Sequence, residues 1–218
     1  RAMRFVDARG AGGALAAALE SYGGRADALV LALARGGAGV GLEVSKRLGL
    51  ALDLVLLRRL FVTRGPLEPS CAVSLAGSLF IDELDAPPGD PAFGHFLEGA
   101  LAELEAGARA CRGGRPALDL RGRTVLLVDN GVRTGSTMLA AVRALRPRSP
   151  ARIFAAAPVA DAAALDGLSD AADEVVCLAT PEPFGHVGLW YADFRRPHDA
   201  EIRALLDETI NDERRTAN

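Results

Sequence analysis

The sequence predicts an α/β fold in which a mostly parallel sheet is covered by helices. Short, continuous apolar runs at 28–34 and 124–128 are typical of strands buried on both faces. Stretches of helix length and composition alternate with these runs along the chain, as expected for successive strand, helix, strand units. A chain of 218 residues is long enough for one such domain with its own core.

Composition and charge exclude several classes of protein. The formal net charge is -3, from 25 basic and 28 acidic residues, and the basic residues are too dispersed for a nucleic-acid surface. No apolar run approaches the roughly 18 residues of a membrane span and no signal-like start is present, so we expect a soluble, cytoplasmic protein. The three cysteines and three histidines lack metal-ligand spacing, so we predict free thiols and no metal held by the protein itself.

The first half of the chain predicts two strands and two helices before an irregular region. A helix over 14–22 ends at two glycines and is expected at the edge of the sheet. The strand at 28–34 is followed by a helix at 40–48 and a strand at 52–57. A unit of this length predicts a right-handed crossover and parallel pairing of the two strands.

The second half returns to regular elements after the segment 61–90. That segment is rich in proline and glycine, and we predict a short hairpin and a flap that closes over a ligand site. The remaining elements are predicted as a helix at 91–112 with an apolar stripe, a strand at 124–128, a helix from 137, a strand at 153–159, a helix at 162–168 and a strand at 174–178. No linker appears, so we predict one domain over 3–218.

The strand at 124–128 delivers the chain into a turn with binding chemistry. Asp129 and Asn130 follow the strand, where ligands of open α/β sheets collect. The segment 134–137 brings hydroxyls and backbone N–H groups to a helix N-terminus, which favours an anion. Because a carboxylate can accept hydrogen bonds from vicinal hydroxyls, the pattern predicts a phosphorylated sugar. The alternative is that these residues only cap the helix.

A second anion-binding turn is predicted after the strand at 28–34. Gly36 and Gly37 allow backbone N–H groups to approach an anion, and Arg35 adds a guanidinium fork that can hold phosphate. Taken alone, such a turn is more often only a tight connection. Arg58 and Arg59 lie just past the next predicted strand and either face pyrophosphate or belong to a solvated loop.

These residues together resemble the type I phosphoribosyltransferases. The stretch VLLVDNGVRTGST is similar to the family signature, in which apolar residues precede two acidic residues and T-G-x-T closes the motif. Asp129 matches the first acidic position and Asn130 occupies the second. Arg133 stands where the family has a small residue or, in purine salvage, a catalytic Asp. The segment 33–37 is similar to the L-P-R-G-G of one bacterial branch, whose closing segment the tail also resembles.

The resemblance implies a Rossmann-like, type I phosphoribosyltransferase fold with a small hood and a flexible flap. It also implies transfer of a 5-phosphoribosyl group from phosphoribosyl pyrophosphate (PRPP) to an acceptor, with inversion and release of pyrophosphate. Mg²⁺ would arrive with PRPP, bound mainly by the donor's own oxygens and by water. The implied catalytic residues are Asp129 and Asn130, at the ribose hydroxyls. The residues implied at the 5-phosphate are Arg133, Thr134, Gly135, Ser136 and Thr137. Those implied at pyrophosphate are Arg35, Gly36, Gly37, Arg58 and Arg59.

The tail at 180–196 concentrates aromatic residues in a protein that is only 5% aromatic. Trp190 and Tyr191 either form a hood over the acceptor or pack into a small satellite core, and we favour the hood. Glu182 and Asp193 are candidates for attracting a cationic acceptor.

The departures from the family signature bear on the acceptor. Asn130 lacks a negative charge that would stabilise a cationic ribosyl centre, and Arg133 adds a positive charge. Both changes argue against purine salvage and direct the hypothesis toward a hydroxyl of a neamine-like aminoglycoside in antibiotic biosynthesis. The alternatives are a nucleobase acceptor and a non-catalytic module that binds PRPP. A homodimer is left open.

Overall fold

In a computed structural model, the described residues are 4–34, 36–60, 70–75, 78–81, 91–113, 115–195, 197–198, 200–204 and 206–207. Within these ranges, side chains are described except at 58–60, 70–81, 91–97 and 100–101. Among the described helices, none is both long enough and apolar enough to cross a membrane.

One seven-stranded sheet organises the chain. Its strands are β1 (Ala28–Leu33), β2 (Leu52–Leu60), β3 (Ser70–Leu75), β4 (Ser78–Ile81), β5 (Thr124–Val128), β6 (Arg152–Val159) and β7 (Glu174–Ala179). The helices are α1 (Ala8–Ala18), α2 (Ala38–Leu48), α3 (Pro91–Arg112), α4 (Ser136–Leu145) and α5 (Ala162–Ser169).

The order of strands across the sheet is β4-β3-β2-β1-β5-β6-β7. The five strands from β2 to β7 in this order pair in parallel, and β3 and β4 add an antiparallel hairpin beside β2. This arrangement confirms the predicted α/β class with a mostly parallel sheet.

The central pair of strands is buried on both faces. Every residue of β1 and β5 is buried, as their continuous apolar sequences predict. Because successive strand residues point to opposite faces, Leu31 packs in the core cluster that contains Met138 of α4, whereas Val30 packs in the cluster that contains Leu15 of α1 and Val44 of α2. The sheet is therefore covered on both sides.

Helix α1 begins earlier than the predicted range 14–22. It packs on a face of the sheet near the predicted edge, where its main contacts with the sheet are to β6 and the edge strand β7. The Asp7 carboxylate caps the helix by accepting a hydrogen bond from the Gly10 N–H at 2.7 Å. Glycines are poor helix formers, which hides this first turn in the sequence. Gly12 allows α1 to lie directly against α2, because a Cβ at this position would be 2.7 Å from both Glu43 Cβ and the Val40 carbonyl oxygen.

Strand β2 extends beyond the predicted range 52–57, so Arg58 and Arg59 lie within the strand and not past its end. The extension is explained by antiparallel pairing with β3, in which Arg58 is opposite Ala72 and Arg59 is opposite Cys71. This partner belongs to the predicted hairpin, which is present. The flap predicted over 61–90 falls largely on 61–69, 76–77 and 82–90, outside the described residues, and stays a prediction.

A buried ion pair joins α3 to the sheet. Arg112 Nε donates to Asp53 Oδ1 at 2.7 Å, and both side chains are 6% exposed. The remaining groups are also satisfied, since Asp53 Oδ2 accepts from the Leu118 N–H at 3.0 Å and the Arg112 guanidinium donates to the Leu54 carbonyl at 2.8 Å. The pair therefore fixes β2, α3 and the chain that leads to β5 in one arrangement.

Removing the guanidinium group of Arg112 should leave Asp53 buried without its charged partner. We expect Arg112→Ala to lower the free energy of unfolding by about 3 to 5 kcal/mol, as measured by urea denaturation. Arg109→Ala on the same helix is the control, because Arg109 is exposed and 3.8 Å from Glu105. The control should change stability by less than about 0.5 kcal/mol, and equal effects of the two substitutions would contradict this role for the pair.

Candidate active site

The turns that follow β1 and β5 are in direct contact at the carboxyl edge of the sheet. The two strands run in register from Ala28 opposite Thr124 to Ala32 opposite Val128, so their ends are adjacent. A Cβ at Gly36 would lie 2.9 Å from Asp129 Oδ1 and 3.2 Å from Asn130 Oδ1. Only glycine fits this approach without displacing those side chains.

Gly37 makes the contact closer still. A Cβ at Gly37 would lie 2.5 Å from the Val128 carbonyl oxygen and 2.9 Å from Asp129 Cα. The backbone of the glycine turn therefore rests on the end of β5. Arg35 precedes these glycines in the sequence but lies outside the described residues, as do the side chains of Arg58 and Arg59.

The loop between β5 and α4 encloses a pocket of about 130 Å³. Gly135 adopts a left-handed conformation with φ of 77° directly before the first residue of α4. The hydroxyls of Thr134 and Ser136 are 3.0 Å apart. A helix N-terminus with hydroxyls and a cavity of this size suits a phosphate group. Of the residues predicted at the 5-phosphate, those that line the pocket are Arg133, Thr134, Gly135 and Thr137, whereas Ser136 contributes through Thr134.

Asp129 and Asn130 lie between this pocket and a second, larger cavity. Asp129 lines the phosphate pocket, and Asn130 lines a cleft of about 390 Å³ on the other side of the turn. The Asp129 carboxylate accepts a hydrogen bond from the Asn130 N–H at 2.8 Å, which fixes the turn between the two cavities. Asp129 and Asn130 are therefore placed to contact the middle of a ligand whose two ends occupy the two cavities.

The larger cleft is built by elements that the sequence did not assign to a site. Its walls come from α1, α2, the glycine turn and the tail, which we call the hood segment (180–196). Sequence reasoning missed the α1 and α2 contributions because no local motif marks them, and only the packing of these helices brings them to Asn130. The charged side chains that line the cleft are Asp7, Arg9, Glu43, Lys46, Asp193 and Arg195.

Glu43 is the most buried of these charged residues, with 11% of its side chain exposed. Its Oε1 accepts a hydrogen bond from Arg47 Nε at 2.7 Å. Its Oε2 lies 3.5 Å from Arg9 Nε, and Arg9 is 83% exposed. One carboxylate oxygen is therefore firmly bonded, and the other has a long contact to a solvated cation.

The hood segment supplies two of its four predicted acceptor residues to the cleft. Tyr191 and Asp193 line the cleft. Glu182 is exposed and lines neither of these two cavities, and the Trp190 indole packs on Phe184 and donates to its carbonyl at 3.0 Å. The segment thus forms a wall of the cleft and also contributes to the core.

Tyr191 connects the hood segment to the turn after β5. Its hydroxyl donates a hydrogen bond to the backbone carbonyl of Asn130. Burial raises the pKa of Tyr191 above its ordinary value, and the negative charge of Asp129 raises the pKa further. The phenol therefore stays protonated, and remains a donor, throughout the physiological pH range.

The site offers oxygen ligands of the kind that Mg²⁺ prefers, in Asp129 and Asn130. In the described part of the chain, no group of three or more His, Cys, Asp and Glu side chains is arranged to hold a metal ion. These two residues alone would complete only part of an octahedral shell.

The fold and the site define an open α/β domain that joins a pocket at a helix N-terminus to a glycine turn beside an acidic strand end. The family model for the phosphoribosyl transferase domain matches residues 7–191, and the chain belongs to this family. The resemblance seen in the motif is thereby confirmed.

Relatives of known sequence or structure agree with this assignment. Proteins from two strains of Mycobacterium tuberculosis, CDC 1551 / Oshkosh and H37Rv, bear the provisional name of phosphoribosyl transferase. Each is 36% identical over 220 residues, which cover 96% of this chain and 48% of theirs. The chain therefore spans about half the length of these curated relatives.

Solved structures support the fold. The crystal structure of TT1426 from Thermus thermophilus is 37% identical, has a TM-score of 0.79 and is matched over 94% of this chain and 99% of that chain. A Neisseria gonorrhoeae protein solved with bound ppGpp has 15% identity and a TM-score of 0.50, over 95% of this chain and 97% of that chain. At this identity, the second comparison shows the fold alone.

The contact between the two turns predicts that Gly36 cannot be enlarged without cost. In Gly36→Ala, the new methyl group would displace the Asp129 carboxylate, and we expect the affinity for PRPP to fall at least about tenfold, equivalent to about 1.4 kcal/mol. The measurement is isothermal titration calorimetry. Gly99→Ala on α3 is the control, because a Cβ there meets no atom of the described residues within 4 Å. Equal affinities of the two variants would contradict the proposed contact.

Proposed function

We propose that this chain catalyses transfer of the 5-phosphoribosyl group of PRPP to an acceptor, with release of pyrophosphate. The observation that carries the proposal is the contact between the glycine turn after β1 and the acidic turn after β5. It makes the glycine turn a direct neighbour of Asp129, and Asp129 itself lines the phosphate pocket. The phosphate pocket and the cleft then lie on opposite sides of Asp129 and Asn130.

The two turns support one orientation of the donor. The 5-phosphate lies in the pocket formed by 133–137, where N–H groups and the helix dipole favour it. The ribose hydroxyls bond to Asp129 and Asn130, and pyrophosphate lies against the glycine turn at Gly36 and Gly37. The Gly37 N–H already donates to the Leu33 carbonyl at 2.8 Å, so it is not one of the pyrophosphate donors. The sequence also predicts three pyrophosphate ligands that remain predictions, namely Arg35, Arg58 and Arg59.

The chain's contribution to the reaction is electrostatic. As the bond from the anomeric carbon to pyrophosphate breaks, positive charge develops on the ribose, and the Asp129 carboxylate beside the ribose stabilises that charge. The bond to the acceptor forms on the opposite face of the sugar, so the configuration inverts. Asn130 orients the hydroxyls without adding charge.

Mg²⁺ belongs to this proposal as part of the donor. The metal would neutralise pyrophosphate as it leaves. Asp129 and Asn130 are oxygen donors that fit Mg²⁺, and the remaining ligands would be phosphate oxygens and water. A cytoplasmic location and a homodimer stay predictions from the sequence.

The cleft beside Asn130 is the proposed acceptor site. Its 390 Å³ suits a molecule of one or two rings. The acidic residues Asp7, Glu43 and Asp193 are matched in number by the basic residues of the same cleft, so the support for an acceptor with amino groups comes from Glu43, the most buried of them. We propose a hydroxyl of a neamine-like aminoglycoside as the nucleophile. Leu42 and Phe194 also line the cleft and favour the alternative, a flat nucleobase.

Turnover tests the proposed function directly. The protein is incubated with PRPP, Mg²⁺ and either neamine or a panel of nucleobases, and pyrophosphate release and product mass are measured. We expect Asp129→Ala to lower the rate at least about 100-fold, because it removes the charge next to the developing cation, while the circular dichroism spectrum stays unchanged. Asp129→Asn keeps the shape of the side chain without its charge, so its rate should lie between those of the wild type and Asp129→Ala. An unchanged rate in Asp129→Ala would contradict the ribose contact.

Donor binding with no turnover across the panel would favour the non-catalytic module, to which Asn130 and Arg133 already point.

The acceptor class is tested through Glu43. We expect Glu43→Gln to raise the KM for neamine about tenfold or more, since a buried charge-assisted contact is lost, and to leave the KM for PRPP unchanged. Glu174→Gln is the control, because Glu174 lies on β7, where it pairs with Arg152 at 3.5 Å. Pyrophosphate release with nucleobases alone would remove the aminoglycoside proposal.

A further inference from the structure

The hood segment holds the turn after β5 at two points. Tyr191 donates to the Asn130 carbonyl, and Val187 packs against Gly131. The second contact is close, because a Cβ at Gly131 would lie 2.6 Å from Val187 Cγ1. Val187 also lines the phosphate pocket, so the hood segment borders both cavities.

Tyr191 is itself held in place by the beginning of the described chain. Phe5 pairs with Tyr191 in a parallel bridge, in which the Phe5 N–H donates to the Trp190 carbonyl and the Ala192 N–H donates to the Phe5 carbonyl, each at 2.8 Å. The Arg4 guanidinium donates to the Tyr191 carbonyl at 3.0 Å. The backbone of Tyr191 is therefore fixed from outside the site.

The Tyr191 side chain is fixed as well. Its ring packs against Phe5, at a centroid distance of 5.8 Å, and against Phe194, at 5.4 Å. The residue is 2% exposed. A ring packed against two aromatic neighbours delivers its hydroxyl to one place, the backbone carbonyl of Asn130.

We propose that Tyr191 is a positioning residue for the donor, fixing the orientation of Asn130 and Asp129 through the Asn130 carbonyl. This inference rests on the proposed function and changes the role that the sequence predicted for Tyr191, since its hydroxyl is committed to the turn and not to an acceptor. Tyr191 then belongs both to the hood segment and to the donor site. PRPP binding should consequently alter the environment of the hood.

The arrangement provides its own reporter. Trp190 is the sole tryptophan of the chain, adjoins Tyr191 and packs on Phe184. Tryptophan emission and calorimetry are recorded while PRPP with Mg²⁺ is titrated into the wild type, Tyr191→Phe and Tyr22→Phe. Tyr22→Phe is the matched control, because Tyr22 precedes β1 at the opposite end of the sheet and packs on Phe154.

We expect PRPP to change the Trp190 emission of the wild type and of Tyr22→Phe. Tyr191→Phe keeps the packed ring but loses one hydrogen bond, so PRPP should bind about three- to tenfold more weakly and most of the emission change should disappear. The thermal midpoint of each variant is measured in parallel, so that a loss of affinity is separated from a loss of fold.

Unchanged PRPP affinity in Tyr191→Phe would overturn the inference and leave the proposed function standing, whether or not the thermal midpoint falls. A wild-type emission that PRPP does not alter would also overturn it. Absence of PRPP binding in the wild type by calorimetry would overturn the proposed function, and the inference would fall with it.

Discussion

The parallel pairing of β1 with β5 is the constraint on which the site depends. Because the two strands end together, the glycine turn after β1 lies on the acidic turn after β5, with a hypothetical Gly36 Cβ only 2.9 Å from Asp129 Oδ1. Neither turn alone would define a ligand, since a glycine-rich connection and a capped helix are both ordinary features. In contact, they bring N–H groups, a carboxylate and a helix N-terminus to one edge of the sheet, and this combination suits a pentose with phosphates at both ends.

The segment before α1 and the hood segment complete the site from the other side. Residues 4–6 pair with 190–193, and this pairing places Tyr191 over Asn130 and Asp193 in the wall of the cleft. The cleft is therefore made from parts that are far apart in sequence. A family with one fold can change its acceptor by varying such walls while keeping the turns that bind the donor.

The sequence revealed those parts of the molecule whose signals are local. The run of five buried residues in β5, the polar turn and the start of α4 occupy adjacent positions, and their order alone indicated the site. The early start of α1 could not be predicted, because its glycines are explained only by the close approach of α2. The end of β2 depends on pairing with β3, and the role of Glu43 depends on packing that puts α2 beside Asn130. These three features could not be predicted from the sequence because each depends on contacts between elements that are distant along the chain.

A crystal structure of the protein with Mg²⁺ and a non-hydrolysable PRPP analogue tests the central claim most directly. The account predicts the 5-phosphate in the pocket formed by 133–137, the ribose hydroxyls on Asp129 and Asn130, and the diphosphate against the glycine turn at Gly36 and Gly37. A diphosphate bound away from the glycine turn, with the 5-phosphate still in its pocket, would contradict it.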